Sequence, residues 1–433
     1  MTVMARRLSA SGDVFQEDFA RHLPEFPGAA LDWLNARRRA AMDAFAVTGI
    51  PGRRSEAWKW TDLANVLDLG AFAPVVLQPS APRDSIFPKQ TNELTFSGGF
   101  LTQASVQSGI DVVDLAKLDA AVPGWVRDNL GTLAQGPDQP MGAASLALMR
   151  SGAAIRVRKD TSLQLVFSHA PSVRAHVSHS RILLIVESGV SLHLLENHRG
   201  TNAHGSLRNL GFELHLKPGS RLEHVRVQKD AADAMHLTSL GAVVQRDASY
   251  RALYTALGGQ LARLDVNLRL DGAKAEAVIH HVAALAEGIA DITSVIDHAS
   301  PHTCSRQVFR NVVGGKGRAV NQGRVVVRHG AIKSDSHQLF KSLLLSPHAE
   351  ADAKPELEIF ADDVLCGHGT AIGALEADAL FYLRSRGIPE PEAKLLLIRG
   401  FVAEAIGEFG DDAIRDALWR ELETALAAVG AGQ

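Results

Sequence analysis

Cys366 and His368, set in the run Cys366-Gly367-His368-Gly369, are the residues of this 433-residue chain whose types and spacing best suit chemistry. Thiolate and imidazole are donors that suit iron, zinc or copper. They lie in KPELEIFADDVLCGHGTAIG, residues 354–373, where Leu357, Ile359 and Val364 alternate as in a strand and Asp362 and Asp363 supply a turn. On an extended backbone positions i and i+2 share a face, so thiol and imidazole stand side by side. A soft-metal or sulfur site fits this arrangement. A buried cysteine beside a hydrogen-bonded core histidine fits it too, and periodicity does not choose between them.

Other constellations point less far. Asp362 and Asp363 could be the paired carboxylates of a carbohydrate-active enzyme, but adjacent strand residues face opposite ways and the pair suits a turn better. The loop VVGGKGR, residues 312–318, has Arg310 where a phosphate-cradling loop needs its first glycine, and Gly317 where it needs Ser or Thr. A hairpin turn accounts for it. Among 18 histidines, His176 and His179 are three apart and would diverge on a strand, His280 and His281 are adjacent, and no HExxH or CxxC spacing occurs. A resident zinc or copper catalyst is therefore not indicated.

Composition narrows the field. A net charge of −3 with 21% charged residues offers no basic field for nucleic acid. The longest wholly apolar run noted, ILLIV at 182–186, is far below the ~20 residues of a membrane span. The N-terminal MTVMARRLSASGDVFQEDF lacks the apolar core of a secretory signal, and Asp13, Glu17 and Asp18 argue against a transit peptide. Two cysteines, Cys304 and Cys366, fit a reducing compartment, and a cytoplasmic protein is expected. They are also too few for a cluster held by four thiolates of one chain, so iron–sulfur chemistry here would need other donors or a partner.

The elements that must position the pair follow from periodicity. Residues 1–70 read as helical, with Leu31, Leu34, Ala41 and Phe45 at helical spacing and Gly49-Ile50-Pro51 as a stop. Trp58 and Trp60 read as packing residues. Residues 71–145 show only short strand-like pieces at 94–96 and 111–115. From about Gly152, alternating runs recur between turns at Ser188-Gly189, Pro218-Gly219, Asp247-Ala248 and Asp271-Gly272, spaced by 30, 29 and 24 residues. Turns at His329-Gly330 and Asp362-Asp363 continue the rhythm, which is that of a β-solenoid; a propeller is the alternative, though its blades should be longer. Open solenoid ends need caps or partners, so flanking helical domains are expected. At the C-terminus Leu395, Ile398, Val402, Ala405 and Phe409 form one apolar stripe, with Leu397 and Phe401 widening it to a second face.

The stretch at 354–373, with SDSHQLFKSLLLSPHAEAD before it and ALFYLRSRGIPEPEAKLLLIRGF after it, closely resembles the SufB/SufD family, scaffold proteins of the SUF iron–sulfur cluster assembly system. The likeness runs from about position 140 to the end, with an echo at EAWKWTDL, residues 56–63. The 354–373 segment is more similar to the SufD branch than to the SufB branch, which carries a His–Glu–Ala–Thr run there; a SufB-type scaffold is the nearest alternative. The resemblance implies a mainly β protein, a right-handed parallel β-helix core (146–372) between an N-terminal helical or mixed domain (1–145) and a C-terminal helical domain (373–433). It implies a scaffold rather than an enzyme, with no permanently bound cofactor and a transient iron or cluster shared with a SufB-like paralogue bound through the β-helix. His368 and Cys366 match the CxHG segment, whose histidine is implicated in cluster formation, and are the metal-site candidates; His337 and Cys304 are weaker ones. The helical region implies docking of a SufC-like ABC-type ATPase through Leu397, Ile398, Arg399, Phe401 and Val402. Asn321, where relatives usually carry an aromatic, and Leu339-Phe340-Lys341, in place of a more polar segment, depart from the family near the presumed paralogue interface. Flavin binding and homodimer formation stay open.

Overall fold

The computed structural model describes residues 14–67, 85–133, 136–169, 175–200 and 205–431. Strand occupies 43% of the chain, wound as a β-solenoid of about seven turns with helices N- and C-terminal to it. Successive strands alternate between a ten-stranded and a nine-stranded sheet, so sheet neighbours lie one turn apart in the chain. Met235 is registered with Leu261 and Arg318 with Glu350, so that a turn takes about 26 to 32 residues. Parallel strands covered on both faces need apolar side chains on both, which is why runs such as ILLIV occur.

The expected turns form a ladder along one edge. Gly189, Gly219, Asp247, Lys274, His302, Lys333 and Asp363 all have positive φ. Each of the first six donates its N–H to a carbonyl of the next turn, from Gly189 to Pro218 (3.0 Å) through to Lys333 to Asp363 (2.8 Å). Two expected positions shift, the ladder residue beyond His329-Gly330 being Lys333. In the Asp271-Gly272 turn it is Lys274 that takes the left-handed conformation, at φ 62°. Gly272 is needed for close approach instead, since a Cβ there would stand 2.1 Å from the Arg246 nitrogen.

The start of the solenoid is closed by the pieces at 93–114. Glu93–Ser97 adds in parallel to Thr161–His169, Phe100–Ser105 adds antiparallel to that, and Ile110–Asp114 pairs antiparallel with Ser151–Val157. The two strand-like pieces read in the sequence thus do form strands, and they belong to the solenoid's sheets. The far end is different. Glu350–Ile359 and Leu365–Gly373 are the last strands of their sheets, each paired on one side. The C-terminal helices, expected to flank that end, instead turn back along the outer face of the ten-stranded sheet. There Ile398, Val402, Ala405, Phe409, Leu418 and Leu422 pack against Leu195, Val225, Leu253, Val278, Val282 and Val312. Two apolar layers facing each other bury more than a cap on two strand edges could.

The N-terminal helices cover the opposite, nine-stranded face. The Asp32–Thr48 helix ends at Gly49 (φ 66°), as its stop signal predicts. Phe15, Phe19, Phe45 and Met141 pack there against Leu207, Met235, Leu237 and Leu261. The residues at 1–13 and 68–84, read in part as helix and loop, lie outside the described residues. Trp58 is the clasp between the layers. It is buried against the Arg263 guanidinium, 3.7 Å from the ring centroid, while Arg263 ion-pairs with Asp265 (2.6 Å) and Asp291 and donates to the Ala57 carbonyl (2.9 Å). Packing, not chemistry, is thus where the aromatic motif acts. A second clasp is the fully buried Arg181–Glu213 pair, whose carboxylate also accepts backbone N–H bonds from Gly131, Thr132 and Leu133 at 2.8–2.9 Å.

Candidate functional site

The unpaired end of the solenoid carries Cys366 and His368. Both lie on Leu365–Gly373, registered with Ser336 and Gln338, which are buried inside the coil. Cys366 packs against the interior cluster, and His368, two residues on, shares its face. The expected same-face placement is present, and the face is the inner one. Because no further turn covers it, Cys366 is only half-buried and the His368 side chain is exposed.

Burial pushes the Cys366 thiol up from its ordinary pKa; a backbone hydrogen bond from Ser336 opposes this and the Asp335 carboxylate adds to it. The thiolate is the metal-binding form, so Cys366 is held away from the state in which it would ligate. Among the described residues no group of three or more His, Cys, Asp or Glu is arranged to hold a metal ion. A metal at Cys366 and His368 would therefore take its other ligands from elsewhere.

The weaker candidates face away. His337 is exposed on the outer face, its Nδ1 3.1 Å from the Asp335 carboxylate, which also pairs with Arg306 at 2.8 Å. Cys304 is registered with Asp335 on that same outer face. Burial pushes its thiol up, against the pull of Arg306. Neither joins Cys366 and His368, because residues of odd and even spacing leave a strand on opposite sides. Asp363 sits in the turn ladder and pairs with Lys333 at 2.5 Å, which suits the turn role over an acid–base pair. Asn321 and Phe340, expected near a subunit interface, are both inside the last full turn, where Phe340 stacks on Phe309 at 4.5 Å.

Two exposed apolar surfaces accompany the site. Around the open end Ile359, Phe360, Leu365 (70% exposed) and Ile372 face solvent. Such side chains along unpaired strand edges form a surface suited to another chain. On the C-terminal helices, Ile398 and Val402 are buried in the chain's own core, so they cannot meet a docking partner directly. Leu397 and Phe401 are half-buried, Phe401 lying under the Arg310 guanidinium. Arg399 is exposed, paired with Glu423 (2.9 Å) and stacked on Trp419. The apolar residues left open are Phe381, Tyr382 and Leu396. Phe381 and Tyr382 belong to Ala377–Ser385, a helix with no buried residue. Adjacent aromatics on so short a helix were the available signal, and the sequence reading passed over them.

The solenoid interior also holds a polar cluster that no motif announced. Glu196 accepts from His224 (2.8 Å) and His198 and ion-pairs with Arg226, while His236 bonds to Asp230 (2.8 Å), which pairs with Arg208. Two buried carboxylates thus face two buried guanidiniums. Burial drives His198 and His236 well below the ordinary histidine range, which keeps both neutral.

Comparison with known proteins agrees with this architecture. Residues 168–401 match the family model described as SUF system FeS cluster assembly, SufBD core domain. The chain is 27% identical over 394 residues to an iron–sulfur cluster assembly SufBD family protein of Synechocystis, covering 86% of each. It is 27% identical to the iron–sulfur cluster assembly protein SufD of Escherichia coli, over 85% of this chain and 87% of the relative. Against the chloroplastic protein ABCI7 of Arabidopsis thaliana the identity is again 27%, over 96% of this chain and 91% of the relative.

Proposed function

Because the chain belongs to the SufBD core family of SUF-system iron–sulfur cluster assembly proteins, we propose that it is the SufD-type scaffold subunit of such an assembly, without catalysis of its own. Its cargo is iron or a nascent cluster, held transiently. The observation that carries this is the placement of Cys366 and His368 on the inner face of an unpaired terminal strand, where two donors of one chain can be completed by donors of another. The partner at that end is a SufB-like paralogue. Its β-strands can extend the two open edges, and its apolar side chains can cover Phe360, Leu365 and Ile372. A SufC-like ATPase sits on the C-terminal helices, reached through Phe381, Tyr382 and Leu396, with Leu397, Arg399 and Phe401 at the margin.

His368 is the principal donor and Cys366 a secondary one, because burial disfavours the thiolate. No helix among the described residues is long and apolar enough to cross a membrane, and the working compartment is the cytoplasm, where iron and the free thiols Cys304 and Cys366 stay reduced. The test is co-purification of the full chain with its partners, followed by iron and sulfide analysis. His368→Ala should leave the assembly intact and thermally stable while lowering its iron and sulfide, and Cys366→Ser should lower them less. A stable His368→Ala assembly with normal iron would remove the imidazole from the mechanism.

A further inference from the structure

One turn beneath His368, the interior holds two carboxamides with nothing to bond. Gln338 and Asn321 are 2% and 1% exposed, and each lacks a partner for both its oxygen and its nitrogen. Among the described residues they are the buried amides in which neither atom is satisfied. Buried polar groups are ordinarily paired, because an unpaired one loses water without replacement. Such a pair in one turn of a coil therefore asks for a ligand.

The register shows how Gln338 comes to be free. One turn earlier, the Ser294 hydroxyl crosses the interior and donates to Gln307 at 2.6 Å. Gln307 is registered with Gln338, and Ser294 with Gly323. The hydroxyl that satisfies the first glutamine is thus replaced by glycine opposite the second. The space is tight: a Cβ at Gly323 would stand 2.6 Å from the Gln338 nitrogen. One turn later the same column ends at His368, registered with Gln338. Adjacent strands lie about 4.8 Å apart, so residues 338 and 368 stand side by side on the inner face, within reach of a side-chain hydrogen bond. Asn321, in the same turn of the facing sheet, keeps this layer polar on both sides.

A metal-bound imidazole almost always donates its second ring N–H to an acceptor, which fixes the tautomer and aims the ligating nitrogen. We infer that Gln338 is the positioning residue for His368, its free side-chain oxygen accepting the imidazole N–H that points into the coil so that the other nitrogen faces iron at the open end. The inference rests on the reading of His368 as an iron donor.

The experiment titrates the full chain, co-purified with its partners, anaerobically with ferrous iron, and separately with cobalt(II), whose visible bands report imidazole ligation. Gln338→Leu should weaken iron binding about 10- to 100-fold and alter the cobalt spectrum. It should leave the melting temperature unchanged or higher, because an unsatisfied buried amide has been removed. Gln338→Glu, which keeps an acceptor, should restore binding to within a few-fold. If His368→Ala abolishes binding but Gln338→Leu binds as tightly as the native chain, the positioning role is wrong and the functional reading survives. Iron binding by the assembly that is unaffected by His368→Ala, or absent from the native assembly, overturns both. A Gln338→Leu chain that loses stability along with iron and is not rescued by glutamate marks a structural residue, and the inference fails.

Discussion

Placing an aspartate at 381 and at 402 separates docking from folding on the C-terminal helices. Phe381 is 73% exposed and its helix has no buried residue, so Phe381→Asp should change stability by no more than about 0.5 kcal/mol. Val402 is 0% exposed and packs in the cluster that fastens the Glu390–Ile406 helix to the ten-stranded sheet. Val402→Asp forfeits about 1.5–3 kcal/mol of side-chain burial and sets an unpaired carboxylate in an apolar layer at a further cost of several kcal/mol. That sum is comparable to the ~5–15 kcal/mol that holds a domain together. For the proposed ATPase the order reverses. A phenylalanine that becomes buried at an interface contributes on the order of 2 kcal/mol, so its replacement by a charge should weaken binding by at least about 30-fold. The assay is paired: a thermal melt of each full-length variant and titration calorimetry with the co-expressed ATPase. Near-native ATPase affinity for a folded Phe381→Asp would refute the docking surface, and a Val402→Asp chain that melts like the native one would refute the packing argument.

Two further outcomes follow from buried groups. Trp58→Ala should cost about 3–5 kcal/mol, read as a lowered urea midpoint, because it also strips the cover from Arg263; Trp60→Ala, at a half-buried position, should cost about 1 kcal/mol or less, and equal effects of the two would refute the clasp. Burial holds the imidazoles of His179 and His281 at about 3 and that of His298 at about 4, against ~6.5 in an unfolded chain. Below pH ~6.5 the unfolded chain therefore takes up protons that the folded one does not, so stability is full above that pH and falls as pH drops toward 4, by up to about 1.4 kcal/mol per histidine per unit. A melting temperature that stays flat from pH 6.5 to 4.5 would show that these histidines are not buried neutral.

Local patterning carried much of this protein. Turn residues near every 30 positions, with alternating runs between them, pointed to a solenoid over a propeller, because short strands that face apolar surface both ways are satisfied by stacking on their own neighbours. The two-residue spacing of Cys366 and His368 put them on one face, since side-chain direction on a strand depends on parity alone. The stripe through Ile398, Val402 and Ala405 required one buried helix face for the same kind of reason.

What parity could not decide was which face is the inner one. Cys304 and His337 stay in contention as weaker candidates until the coil closes and turns them outward. Nor could periodicity say that the C-terminal helices lie along the sheet, which is why Ile398 and Val402 looked available to a partner and Phe381 and Tyr382 drew no notice. Above all, the freedom of Gln338 depends on Gly323 standing where Ser294 stood one turn before. Turns of about 26 to 32 residues differ enough in length that no fixed offset in the sequence finds that neighbour. Contacts set by local backbone geometry could be read along the chain. Those between side chains a full turn apart, or across the coil, exist only through the register that tertiary packing selects.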